Sequence, residues 1–152
     1  MTKKKLFILG AVLLLVIALA IPTVMILTTG DITMAQLTET PGTLSALFQF
    51  GIPDNSDDGI WWYRSVTFQG IPVDDLFVGV DAGTYGYMLK TENEENAAQL
   101  TAYIKDHCTY QKTDTREYTF FGTDTVEHYC YGTTQIKIAY ENGQLYSIEF
   151  YP

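Results

Sequence analysis

Ile60–Asp81 reads IWWYRSVTFQGIPVDDLFVGVD, and here the chain turns to β-branched and aromatic residues punctuated by Gly, Pro and Asp. Those residue types suit a pleated, half-buried surface, so two strands are expected, Ile60–Gly70 and Leu76–Asp81. Gly70-Ile71-Pro72 and Asp74-Asp75 supply the turn between them. A third strand is expected over Tyr85–Leu89, after the Asp81-Ala82-Gly83 turn.

Beyond these strands the pattern changes period. Thr91-x-x-Glu94 has the form of a capping box, in which hydroxyl and carboxylate satisfy each other's backbone amides. Ala97, Leu100, Ile104 and Cys108 then recur at three or four residues, which predicts a helix with one buried face and Cys108 at its inward end. From about Glu117 to Tyr151 an antiparallel meander is expected, broken at Gly122-Thr123-Asp124, Gly132-Thr133 and Asn142-Gly143. A two-residue Asn142-Gly143 loop would set Ile138 opposite Ser147, mixing polar and apolar residues on one face. A three-residue loop over Glu141-Asn142-Gly143 pairs Ile138 with Tyr146 and Ile136 with Ile148, and is the expected turn.

Upstream, Thr40-Pro41 forms a helix start and Gly51 with Pro53 a stop, enclosing Leu44, Leu47, Phe48 and Phe50. Residues 30–40 have no sustained apolar period and read as a linker. The expected fold class is α+β: about seven strands, mostly antiparallel, with one main helix packed on one face, preceded by a transmembrane helix.

That last expectation rests on Leu6–Thr29, LFILGAVLLLVIALAIPTVMILTT, which contains no charged residue. As a helix it reaches about 36 Å, enough for a hydrocarbon core of about 30 Å. Lys3, Lys4 and Lys5 precede it and place the N-terminus in the cytoplasm. The expected organisation is a basic tail over 1–5, a membrane span over 6–29, a juxtamembrane linker over 30–40 and an extracytoplasmic domain over 41–152. Ala18-Leu19-Ala20 imitates a signal-peptidase site, but cleavage there would leave an apolar N-terminus with Pro22 beside the scissile bond.

All 18 acidic residues but only six of the nine basic ones follow the span. Such an acidic domain excludes a nucleic-acid partner, which needs a clustered positive face. Cys108 and Cys130 are the only cysteines, and on the oxidising side of a membrane they are expected to pair, closing a loop of about 23 residues worth roughly 3 kcal/mol. The two histidines lie beside them, as His107-Cys108 and His128-x-Cys130, a donor set able to hold zinc or copper only if all four converge. The spacing fits no zinc module, and no cofactor is expected. Asp54, Ser56 and Asp58 ahead of Gly59 resemble the front of a calcium loop, yet Ser65 stands where a bidentate glutamate belongs. They read as an acidic turn.

Trp61, Trp62 and Tyr63 are the candidate binding residues, because an aromatic strand must turn some of its rings outward. Ser45, Ser56, Ser65 and Ser147 lack a nucleophile-elbow setting, and Asp74-Asp75 and Glu94-Glu95 suit turns and helix starts. The sequence therefore favours a non-enzymatic binding module for a protein or envelope glycan. A small envelope enzyme or metal-handling domain built on His107, Cys108, His128 and Cys130 is the alternative.

Overall fold

The computed structural model describes residues 30–152 apart from 42, 52, 58–59, 82–83 and 119–121. The span expected over 6–29 lies outside them; among the described residues no helix is long and apolar enough to cross a membrane.

The α+β expectation with about seven strands is corrected. The domain is predominantly β, a single sheet of nine strands with one long helix. The strands are β1 (Asp31–Ile32), β2 (Asn55–Asp57), β3 (Ile60–Phe68), β4 (Ile71–Asp81), β5 (Thr84–Lys90), β6 (Thr109–Tyr118), β7 (Gly122–Tyr131), β8 (Thr134–Glu141) and β9 (Gln144–Tyr151). Their order is β1-β3-β4-β5-β9-β8-β7-β6, with β2 paired to β3 off this path. Among the described residues only β1 against β3 is parallel. Three helices, α1 (Met34–Leu37), α2 (Thr43–Phe50) and α3 (Glu94–His107), accompany the sheet.

The strand count was short because the missing strands carry no apolar alternation. Every residue of β6 is exposed, so neither face of TYQKTDTREY is written in hydrophobic residues. The expected break at Gly122-Thr123-Asp124 falls within the first residues of β7. Residues 30–40 are part of the fold rather than a linker. Thr33 caps α1 with a reciprocal Gln36 box, and Ile32, Met34 and Leu37 are buried.

In β3 and β4 the buried residues are Tyr63, Val66 and Phe68 against Val73, Leu76 and Val78. The three-residue steps from Tyr63 to Val66 and from Val73 to Leu76 break the strand period of two. Arg64 pairs with Asp75 and Val66 with Val73, while Ser65, at φ 52°, and Asp74 drop out of the ladder. This double irregularity flips the phase, which is why Asp74-Asp75 resembled a turn. The actual turn is Gln69-Gly70, both left-handed at φ 52° and 76°, and β4 starts directly at Ile71.

The last hairpin differs from expectation as well. Glu141 pairs with Gln144 around a two-residue turn in which Asn142 and Gly143 are left-handed, at φ 53° and 82°. Tyr140 still pairs with Leu145, but Ala139 pairs with Ser147, so Tyr146 is an extra residue in β9. That bulge restores Ile138 opposite Ile148 and Ile136 opposite Phe150. Apolar residues face one another through a bulge inside the strand instead of a longer loop, and neither expected pair, Ile138–Tyr146 or Ile136–Ile148, forms.

α3 begins two residues later than the Thr91 box implied. Asn93 is its N-cap, accepting from the Asn96 amide at 3.0 Å, while buried Thr91 accepts from the Asn93 amide at 3.3 Å. Glu94 and Glu95 in its first turn and Lys105 and His107 in its last complement the helix dipole. Its buried Leu100 and Ile104 join one core with β3, β4, β5, β8 and β9, where Phe68 packs edge-on to Tyr103 at 5.4 Å and against Phe150 at 5.9 Å. Phe50 of α2 meets Tyr63 and Tyr87 edge-on at 5.7 and 5.8 Å. Tyr87 Oη donates to the Glu39 carbonyl at 2.8 Å, fastening residues 30–51 to the sheet.

The two halves of the sheet meet at only three register pairs, Tyr87–Phe150, Met88–Glu149 and Leu89–Ile148. Gly86 sits at one end of this seam, where a Cβ would lie 2.6 Å from the Phe150 carbonyl oxygen. Gly86→Ala should therefore lower unfolding free energy by about 1–3 kcal/mol, the usual overpacking cost. Chemical denaturation of the full chain in detergent measures it; an unchanged midpoint would show that the seam can shift.

Candidate functional site

At its other end the seam opens. Past Leu89 and Ile148 the strands part, β5 running through Lys90 and Thr91 towards α3 while β9 runs back through bulged Tyr146 to the hairpin turn. The parting leaves a groove of about 650 Å³. Ala97, Ala98 and Thr101 of α3 form one wall, and Tyr140, Leu145 and Tyr146 of the hairpin form the other. Four carboxylates, Asp74, Asp75, Glu92 and Glu94, line it with one cation, Lys90.

Each of these groups is held by its strand or cap. Asp75 is opposite Lys90 across β4 and β5, and its Oδ1 accepts from Trp62 Nε1 at 2.6 Å. Asp74, freed by the irregularity at Ser65, accepts from the Glu92 amide at 2.7 Å and fixes the approach to α3. Lys90 Nζ lies 4.1 Å from the centroid of the Tyr146 ring and 5.9 Å from that of Phe77. Tyr146 is 52% exposed, so much of the side chain that Lys90 lies over remains open to solvent. Tyr140 is held more firmly, its hydroxyl donating to Glu127 Oε2 at 3.3 Å; burial, then the Glu127 charge, raises its pKa.

From the groove an aromatic row continues onto the sheet face opposite the core. Trp62 stacks on Phe77, with centroids 5.7 Å apart and planes 10° apart, and Arg64 lies 4.0 Å over the Trp62 ring. The three candidate aromatics do not share a surface. Trp62 faces this open side, Trp61 is packed against the core, and Tyr63 is buried with its hydroxyl donating to the Gly51 carbonyl at 3.3 Å. Desolvation pushes the Tyr63 pKa up to about 12.

His107 and His128 are turned to separate partners. The His107 ring stacks on Tyr103 at 4.1 Å and its Nδ1–H donates to the Tyr103 carbonyl at 2.8 Å. His128 Nε2 is 3.0 Å from Asp114 Oδ2. Among the described residues no three His, Cys, Asp or Glu side chains group to hold a metal ion. Of the calcium-loop residues, Asp58 and Gly59 lie outside the described residues. Ser147 is fully buried and donates to Glu149 Oε1 at 3.1 Å, and Ser65 serves as the backbone irregularity described above.

Cys108 ends α3 and Cys130 stands opposite Thr109 in β7, so the two residues are neighbours across the β6–β7 pair. Both are free thiols in this structure. Gln111 Nε2 donates to Cys130 Sγ at 3.1 Å. Burial, and secondarily the nearby Cys130, pushes the Cys108 thiol up to about 11.

Tyr146, Lys90 and Phe77 were not singled out from sequence. Lys90 and Thr91 closing a strand before a cap marked the position, but only the bulge, invisible in the residue types, aims Tyr146 at Lys90. Comparison with family models, curated proteins and solved structures finds no match.

The raised Cys108 pKa has a direct consequence in the reduced protein. Its thiol stays protonated above the ordinary 9.0, so alkylation by iodoacetamide at Cys108 should keep accelerating with pH to about 11. Peptide mass mapping after timed alkylation measures this; a plateau near pH 9 would place Cys108 in a wetter environment.

Proposed function

We propose that this chain is a non-enzymatic binding module, carried outside the cell on a membrane span over residues 6–29, whose groove receives a positively charged segment of a partner protein. The observation that supports this most strongly is the charge of the groove: four carboxylates face one lysine, and that lysine already lies over Tyr146. An incoming cationic side chain finds an exposed aromatic ring and an excess of carboxylate charge together, the arrangement that favours a guanidinium or ammonium group. Ala97 on one wall and Leu145 on the other add apolar area without setting polarity. Trp62, stacked between Arg64 and Phe77, extends the contact surface onto the open sheet face. In the same reading, Cys108 and Cys130 form a disulfide in the oxidising exterior, tying the end of α3 to β7.

One measurement tests location and pairing together. Non-reducing intact mass of the native membrane fraction should give the chain with residues 1–29 retained and two hydrogens lost. A species starting at Ile21 would remove the anchor, and one retaining both hydrogens would remove the bond. Binding is tested on the full chain in nanodiscs with an arginine-tyrosine peptide and its glutamate-tyrosine counterpart. The cationic peptide should bind more tightly, and Tyr146→Ala should weaken it by about tenfold, the size of one partly desolvated cation–π contact. Equal affinity for both peptides, or no effect of Tyr146→Ala in a variant with an unchanged thermal melt, would overturn the groove as the binding site.

A further inference from the structure

Among the described residues β6 is the terminal strand of the sheet, paired on one side only, with β7. It is long for an edge, ten residues, and all ten are exposed. A strand in this position presents backbone amides and carbonyls ready to pair with another chain, unless charge or irregularity blunts it. Its one irregularity, between Tyr110 and Lys112, lies near its start. From Lys112 to Tyr118 the register against β7 is continuous.

Charge does not blunt this edge, because it alternates and cancels. The run is Lys112-Thr113-Asp114-Thr115-Arg116-Glu117-Tyr118, two cations against two anions in a domain that is otherwise strongly acidic. Lys112 Nζ and Asp114 Oδ2 are already 2.6 Å apart, and that hydrogen bond, with His128 adding to it, holds the Asp114 carboxyl below its ordinary range. Side chains of one strand face repeat every second residue, so Lys112, Asp114 and Arg116 share a face with signs plus, minus, plus.

An antiparallel copy centred on Thr115 sets Asp114 against the second copy's Arg116, and Arg116 against the second copy's Asp114. It also sets Lys112 against the second copy's Tyr118, an ammonium over an aromatic ring, and Thr115 against itself. Centring on Asp114 would instead oppose Lys112 to Arg116 and Asp114 to Asp114, two like-charge contacts. Centring on Thr113 would run the pairing back into the bulge at Gln111.

We infer that β6 is a homodimerisation edge, pairing antiparallel with β6 of a second copy of this chain about a two-fold axis through Thr115, so that the two sheets become one. This stands independently of the groove, which lies at the middle of the sheet. Sedimentation velocity of the full chain in detergent micelles tests it, with a circular-dichroism melt of each variant as the folding control. The wild type should sediment as a dimer. Asp114→Arg and Arg116→Asp, each placing two like-charge contacts across the axis, should each weaken dimerisation by about tenfold. The double exchange D114R/R116D should restore it. A folded wild type that remains monomeric, or a folded double exchange that behaves no better than the single changes, would overturn the proposal.

Discussion

The structure depends on a seam of three residue pairs. β1 to β5 form one half of the sheet and β6 to β9 the other, and only Tyr87–Phe150, Met88–Glu149 and Leu89–Ile148 join them in the ladder. So short a ladder contributes few backbone hydrogen bonds, each worth about 1 kcal/mol net. The side chains on its inner face supply the remainder. Tyr87, Leu89, Ile148 and Phe150 are all buried, with Phe68 packed against Phe150 and Tyr103 of α3 edge-on to Phe68. Gly86 lets the two backbones approach at one end, and at the other the strands part because Lys90 must turn into the cap of α3. The groove is thus a by-product of the connection from strand to helix, made permanent by the seam beneath it.

Charge is distributed around that seam with some economy. Six basic residues face 18 acidic ones over the domain, yet most of the cations are placed against rings or within ion pairs. Arg64 lies over Trp62, Lys90 over Tyr146 and Lys137 over Tyr151, while Lys105 pairs with Glu127 at 2.9 Å and Lys112 with Asp114. Exposed pairs of this kind add little stability in water. Their effect is positional: cations seated on rings keep flat aromatic faces oriented outward, and the carboxylates of the groove are left in excess. The Lys105–Glu127 pair also holds the Tyr140 hydroxyl, so the far wall of the groove is anchored from beneath.

Legibility in the sequence followed burial. Where one face of an element is buried, its period was readable: α3 was placed from Leu100 and Ile104, and β3, β5, β8 and β9 from their apolar residues. β6 has no buried residue and was missed, and the span of β4 was halved because Ser65 and Asp74 shift the alternation by one. Residues 30–40 were misread for a related reason. A two-residue strand and a four-residue helix are each shorter than the window in which any period can be seen, although Ile32, Met34 and Leu37 are buried in the core. For the candidate site, Trp62 was found by residue type, whereas the separation of Trp61 and Tyr63 from it required the strand's own alternation to be anchored on the core.

The bulge at Tyr146 links these two levels. Asn142-Gly143 is the residue pair that two-residue hairpin turns favour, because both positions need left-handed backbone. The apolar residues of β8 and β9, however, are spaced for a register one residue longer. The two demands conflict in sequence, and either a longer loop or an extra residue within a strand resolves them. A longer loop would set Tyr146 opposite Ile138, taking an inner-face position that the structure gives to Ile148. Keeping the tight turn places the surplus residue three positions past Gly143, where the chain passes the end of β5. Tyr146 is then surplus to the ladder, half exposed and beside Lys90, so the correction that completes the core also turns an aromatic ring into the groove. Core register and site geometry are therefore one constraint, and a substitution that shifted the bulge would have to alter both.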